Sequence, residues 1–217
     1  MAEETFNYLF VFSDPQGSEI TDEDYHKWYD DDHLPKRKNC PGFYSAIRYE
    51  AVDASYPRFA AYYEFKPGTL QTDAYKRLFI ERTEEEARIF PKIQLSRREY
   101  KLLDTHGKSG INKPAPVIVY AGVSPQKGAE EAFKKWYLEE HIPLVKKNPG
   151  WIGCRRFVKA DPSLDGTTFL VVHEYENTDF QTSPEMRACM EQAIDWMGKN
   201  LDKDIVRERR VMRRLYD

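Results

Sequence analysis

Cysteine is scarce in this chain: Cys40, Cys154 and Cys189 are odd in number and far apart. They form no CxxC pair, so neither a disulfide framework nor a thiolate zinc site is expected, and a reducing compartment is. No two histidines stand at ligand spacing such as HxxxH, which argues against a metal site. No run approaches the ~20 apolar residues of a membrane span. The start, Met1-Ala2-Glu3-Glu4, is acidic rather than basic, so no signal peptide is expected and the cytoplasm is the expected location. GxGxxG, GxxxxGK[ST] and GxSxG are all missing, which argues against a nucleotide fold and a serine hydrolase. An excess of either charge is missing too: 33 Lys and Arg face 36 Asp and Glu, a net charge of -3. That balance disfavours nucleic-acid and anionic-membrane partners, which need a basic surface. The one basic run, Arg207 to Arg214, reads as a charged strand face.

What the chain does have is a repeat. Lys27-Trp-Tyr-Asp-Asp-Asp-His-Leu-Pro-Lys-Arg-Lys-Asn-Cys-Pro-Gly-Phe43 aligns without a gap on Lys135-Trp-Tyr-Leu-Glu-Glu-His-Ile-Pro-Leu-Val-Lys-Lys-Asn-Pro-Gly-Trp151, at an offset of 108. Eight of these 17 positions are identical, where unrelated segments would share roughly one. Flanking features follow in the same order: Ser13 and Pro15 with Ser124 and Pro125, Gln71-Thr72 with Gln181-Thr182, Arg97-Arg98 with Arg209-Arg210. The chain therefore reads as a duplication.

Each half reads strand, helix, strand, strand, helix, strand. The strands are expected at 6–13, 43–50, 58–65 and 97–103, then at 117–124, on either side of the 159–168 loop, and at 209–215. In the first helix Tyr25, Trp28, Tyr29 and His33 share one face, as do Phe133, Trp136, Tyr137 and His141. Leu34-Pro35 and Ile142-Pro143 are expected to end these helices at or just after the histidine. A second helix is expected from Thr72 and from Ser183, where Ser183-Pro184-Glu185 is a strong N-cap. The domains are then 1–104 and 117–217, joined by a linker over 105–116.

His33 and His141 are the candidate acid–base residues. At a helix C-terminus, beside Asp30–Asp32 or Glu139 and Glu140, each is expected to keep a pKa near neutral. The alternative is a structural anchor, with the carboxylates paired to Lys36, Arg37 and Lys38. Tyr29 and Tyr137, one turn earlier on the same face, either bond a ligand or pack with their hydroxyls satisfied. Trp28 and Trp136 read as core. Arg48 and Arg156 hold equivalent strand positions and bind substrate only if they face inward. His173 stands where the first half has Tyr63, and is either a core histidine or a mark of a site that has diverged. His26 and His106 are not candidates.

The pattern Trp-Tyr-x3-His-x-Pro…Pro-Gly, present twice, resembles the dimeric α+β barrel superfamily and most closely its EthD-like branch. The resemblance implies an α+β fold: two ferredoxin-like βαββαβ repeats forming an intramolecular dimeric α+β barrel. It also implies enzymes without metal or organic cofactor that cyclise, dehydrate, decarboxylate, isomerise or oxygenate aromatic or polyketide-like molecules. It assigns proton transfer to His33 and His141, and substrate contacts to Tyr29, Tyr137, Arg48, Arg156 and His173. The expected partner is a hydrophobic small molecule, with a further homodimer left open. A non-catalytic binding or accessory protein is the main alternative. A haem enzyme ranks last, since no axial ligand stands out.

Overall fold

A computed structural model describes residues 6–109 and 114–216. It divides into two compact units: the chain up to Leu102 with Ala160–Asp165 and the residues from Arg214, and Leu103–Lys159 with Gly166–Arg213. In the first unit the strands are β1 (Asn7–Pro15), β2 (Phe43–Ala51), β3 (Phe59–Phe65) and β4 (Ile93–Gly107), the residues of β4 from Leu103 onward belonging to the second. They pair antiparallel in the order β2-β3-β1-β4, with Leu9 opposite Tyr63 and Glu99. In the second, β5 (Val117–Ser124), β6 (Trp151–Lys159), β7 (Phe169–Tyr175) and β8 (Val206–Arg214) pair antiparallel as β6-β7-β5-β8, with Val119 opposite His173 and Val211.

β1 lacks the polar alternation of a half-exposed strand because both of its faces are buried. Leu9 and Val11 join Tyr25, Trp28, Tyr29 and Tyr63 in the core between sheet and helices. On the opposite face Phe10 stacks on Tyr62 at 4.4 Å and meets Tyr100 edge-on at 6.1 Å. β2 and β6 each carry a bulge at their start, at Phe43/Ser45 and Trp151/Gly153. Such an extra residue re-aims the side chain beside it.

Strand positions agree with expectation to within a few residues, except that β4 runs from Ile93 to Gly107 rather than over 97–103. The expected linker over 105–116 thus begins inside a strand. Gly107 makes that extension feasible: a Cβ there would lie 2.6 Å from the Ile152 carbonyl oxygen, at a φ of 74°. Gly110, read as part of the linker, lies outside the described residues.

The helices depart from expectation in two ways. α1 (Asp22–Trp28) and α2 (Leu34–Lys38) are joined through a π-helical turn over Tyr29–His33, so the helix does not end at the histidine. Leu34 keeps helical dihedrals, and its N–H donates to the Tyr29 carbonyl five residues back. The wider turn makes room for Pro35, whose ring would clash with a carbonyl in a regular α-helix. α5 (Glu130–Trp136), the turn Tyr137–His141 and α6 (Ile142–Val145) do the same around Pro143.

The second departure is confined to the first unit. One helix from Thr72 was expected, and two are found, α3 (Asp73–Ile80) and α4 (Glu84–Ile89). Thr83 is the N-cap of α4, its hydroxyl accepting from the Glu86 N–H at 3.1 Å. Thr83-Glu84-Glu85-Glu86 is the T-x-x-E signature of a new helix start. In the second unit no such signal interrupts α7 (Pro184–Asn200), which is capped by Ser183 as expected.

Candidate functional site

Each π-helical turn sets a Trp-Tyr-His cluster against its sheet. Tyr29 and His33 ring centroids are 4.8 Å apart, and those of Tyr137 and His141 are 4.7 Å apart. Trp28 and Trp136 flank the same histidines at 4.7 and 4.9 Å. All six side chains are buried. π-Helical turns concentrate at functional sites, because they turn side chains that a regular helix would space differently.

The space around the two clusters differs. In the second unit a cavity of about 260 Å³ lies between α7, the turn and the sheet, with Trp136, Tyr137, His141, His173 and Cys189 in its wall. The corresponding space in the first unit, beside Tyr29, His33 and Tyr63, is about 50 Å³. The unbroken α7 contributes Met186, Cys189, Ala193 and Met197 to the larger cavity. Their spacing of three, four and four residues on an amphipathic helix was a signal in the sequence that reading histidines alone passed over.

In the first unit the space is walled mainly by aromatic side chains, with His33 and Arg37 in the wall belonging to an ionic cluster around Glu86. Glu86, at the head of α4, accepts from His33 Nδ1 at 3.2 Å, Lys36 Nζ at 2.9 Å and Arg37 Nη1 at 3.3 Å. Burial would raise the Glu86 pKa, but His33, Lys36 and Arg37 together hold it at about 2. Because a carboxylate only accepts, the proton of neutral His33 lies on Nδ1. His33 and its surroundings form a folded-in anchor, with Lys36 also paired to Asp32 at 2.7 Å.

His141 is held more loosely. Its Nδ1 lies 3.5 Å from Gln192 Oε1, and the Cys189 thiol sits 3.8 and 3.9 Å from its two ring nitrogens. Burial pushes the Cys189 thiol up to about 11, so it is no thiolate at neutral pH.

The expectation of histidines titrating near neutrality is overturned. Burial lowers His33 to about 4 against the opposing hydrogen bond of Glu86, and lowers His141 to about 4. The cause is desolvation: the π-helical turn carries the helix on past each histidine and leaves the imidazole buried, where the cation is disfavoured. The neighbouring carboxylates are also engaged: Asp30 with Arg48, Asp31 with Lys27, Asp32 with Lys36.

His173 joins this site. Its Nε2 is 2.8 Å from Tyr137 Oη, and its Nδ1 accepts from Trp151 Nε1 at 3.3 Å. Burial lowers its pKa to about 3. In the first unit the equivalent contact is Tyr29 Oη to Tyr63 Oη at 3.0 Å.

Arg48 and Arg156 stand apart from both cavities. Arg48 bonds Asp30 at 2.6 Å and lies 4.3 Å over the Tyr29 ring. Arg156 bonds Asp104 Oδ1 at 2.7 Å and the Lys134 carbonyl at 3.1 Å. Both tie the first helix of their unit down and are committed to protein partners. Trp28 and Trp136 are core, as expected. Among the described residues no three His, Cys, Asp or Glu side chains converge as metal ligands, and no helix is long and apolar enough to cross a membrane.

No protein-family model matches the chain, and no curated protein does. Solved structures do. An anthrone oxidase-like protein matches with a TM-score of 0.67 at 10% identity, over 99% of this chain and 93% of that one. A mutant chlorite dismutase from Candidatus Nitrospira defluvii matches with 0.56 at 8%, over 97% and 91%. A monooxygenase-like protein from Listeria innocua matches with 0.52 at 12%, over 98% and 96%. The fold is α+β and similar to that of dimeric α+β barrel proteins. At these identities the likeness is one of fold and carries no reaction across, since proteins named for different activities match alike.

Proposed function

We propose that the chain is a cofactor-independent acid–base enzyme of the cyclase, dehydratase, decarboxylase or isomerase type, acting in its second unit on a hydrophobic aromatic or polyketide-like molecule. The observation that carries this reading is the cavity of about 260 Å³ whose wall brings His141, Tyr137 and His173 together. Apolar lining with a few convergent polar groups is the usual make-up of a small-molecule site. With two ferredoxin-like repeats fused as an EthD-like pair, the two clusters are free to diverge, and the first unit then serves as scaffold.

His141 is neutral above about pH 4, so it works as a base rather than an acid. With Nδ1–H turned to Gln192 Oε1, Nε2 carries the lone pair. Nε2 takes a proton from a carbon next to a carbonyl, or conjugated to one through aromatic rings as C10 of anthrone is, and the electron pair of that C–H bond moves through to the carbonyl oxygen. The enolate oxygen is met by the Tyr137 hydroxyl, which burial keeps protonated. Return of the proton elsewhere isomerises the substrate, expulsion of a β-hydroxyl dehydrates it, and attack on a second carbonyl cyclises it.

A haem does not fit these residues. Both nitrogens of His173 are hydrogen-bonded and Cys189 lies against His141. The cavity of about 260 Å³ lies at the lower end of small-molecule sites and is too small for a tetrapyrrole.

The test is exchange of the acidic C10 hydrogens of anthrone in D₂O, followed by NMR. Protein-dependent exchange that disappears in His141→Ala supports the reading. Binding of anthrone without accelerated exchange would leave a non-catalytic binding protein instead.

A further inference from the structure

Two side-chain differences between the units occur together. Where the first unit has Phe43 and Tyr63, the second has Trp151 and His173, at the same strand positions. Phe43 and Tyr63 meet edge-on at 5.9 Å without a hydrogen bond between them. Trp151 and His173 are joined by the 3.3 Å bond from Nε1 to Nδ1.

An indole N–H only donates, so His173 Nδ1 is an acceptor and holds no proton. His173 is neutral, and its single proton therefore sits on Nε2. Nε2–H then donates to Tyr137 Oη across 2.8 Å, which occupies a lone pair of that oxygen and leaves its own O–H to donate elsewhere. In the first unit the Tyr29–Tyr63 pair has no such direction, since either hydroxyl serves as donor. A second donor lines the same cavity: Trp136 Nε1–H is buried and finds no acceptor among the described residues.

We infer that Trp151 and His173 are positioning residues that fix Tyr137 as a one-way hydrogen-bond donor into the second-unit cavity, so that the site selects ligands presenting an acceptor oxygen, a carbonyl or an ionised phenol, over equally shaped ligands without one. This deepens the reading of the cavity as a small-molecule site and does not depend on turnover.

The test has two arms. Nitrogen-15 NMR of the imidazoles reads the tautomer directly: His173 is expected protonated at Nε2 and bare at Nδ1, with Nδ1–H appearing in Trp151→Phe. Binding of 9-fluorenone against fluorene, planar molecules that differ by one carbonyl, reads the selection. Wild type is expected to prefer fluorenone by about fivefold, the size of one neutral hydrogen bond. That preference should vanish in Tyr137→Phe and fall in Trp151→Phe, with thermal stability of each variant checked alongside. A wild-type His173 protonated at Nδ1, or a fluorenone preference that is absent in wild type or survives in Tyr137→Phe, overturns the inference. Selection for fluorenone without anthrone exchange keeps the inference and removes the enzymatic reading.

Discussion

The two units set the same Trp-Tyr…His turn beside different second helices, and the contents of the space behind the turn follow from that difference. In the first unit Thr83 restarts the helix, and α4 carries Glu86 inward to His33, Lys36 and Arg37. In the second, α7 runs unbroken for 17 residues, lines the cavity with thioether, thiol and methyl groups, and offers His141 a long contact to Gln192 and the uncharged Cys189 thiol. One histidine is anchored by charge and the other is left facing open space. A helix-end motif is therefore compatible with either an anchor or a site, and its neighbour in space decides between them.

This contrast can be broken most severely in the exchange assay. His141→Ala should slow anthrone exchange by about 10²-fold or more, the usual worth of a positioned base, while His33→Ala should leave the rate within about twofold. Equal losses in both variants would dissolve the distinction between site and scaffold.

Stability should show the opposite asymmetry. Glu86→Gln leaves buried Arg37 beside a neutral amide, while Lys36 keeps Asp32, and should cost about 3 kcal/mol in chemical denaturation. Gln192→Ala removes two long contacts, to His141 and to Glu140, and should cost less than about 1 kcal/mol. A larger cost for Gln192→Ala would mean that the second cluster is the anchored one.

The pH dependence sharpens the electrostatic side. His33 and His141 are depressed to about 4 from an ordinary value near 6.5, so the unfolded chain binds more protons than the folded one between those values. Stability is fully present above about pH 6.5 and declines as pH falls towards 4, by roughly 3 kcal/mol for each such histidine. The exchange rate should stay level above pH 6 and fall with an apparent pKa near 4. A titration near 6.5 in that profile would mean that His141 is hydrated rather than desolvated in the cavity wall.

The smallest effect tests what breaks the first-unit helix. Thr83→Ala removes the cap of α4 and its bond to Asp32, and should cost about 1 kcal/mol. The equivalent loss for Ser183→Ala at α7 should be similar, because each cap satisfies one backbone donor.

Much of the strand and helix order was legible from local pattern, because an apolar, β-branched run between turn residues has few other ways to bury itself. β1 and β5 were readable for that reason, as was the shared face of Trp28, Tyr29 and His33. The split of the first-unit helix was also written locally, in Thr83 and Glu86, but a cap inside a helical pattern is easily read past. The cavity was less legible. Arg48 and Arg156 resembled ligand-binding cations by position, yet each is consumed by a carboxylate and a helix. Cys189 and Gln192 carry no motif and meet His141 only because α7 packs across the turn.

The sequence by itself determined that one helix segment recurs, that a Trp, a Tyr and a His share its inner face, and that His173 stands where the first half has Tyr63. Periodicity suffices for these, since neighbours along a helix or strand are set by backbone geometry. Only the tertiary structure decided that the helix passes through its proline, that both histidines are neutral, and that the cavity opens in one unit. Those outcomes depend on desolvation and on side chains about 50 residues apart in sequence, such as His33 with Glu86 and His141 with Cys189, and no local pattern encodes such distances.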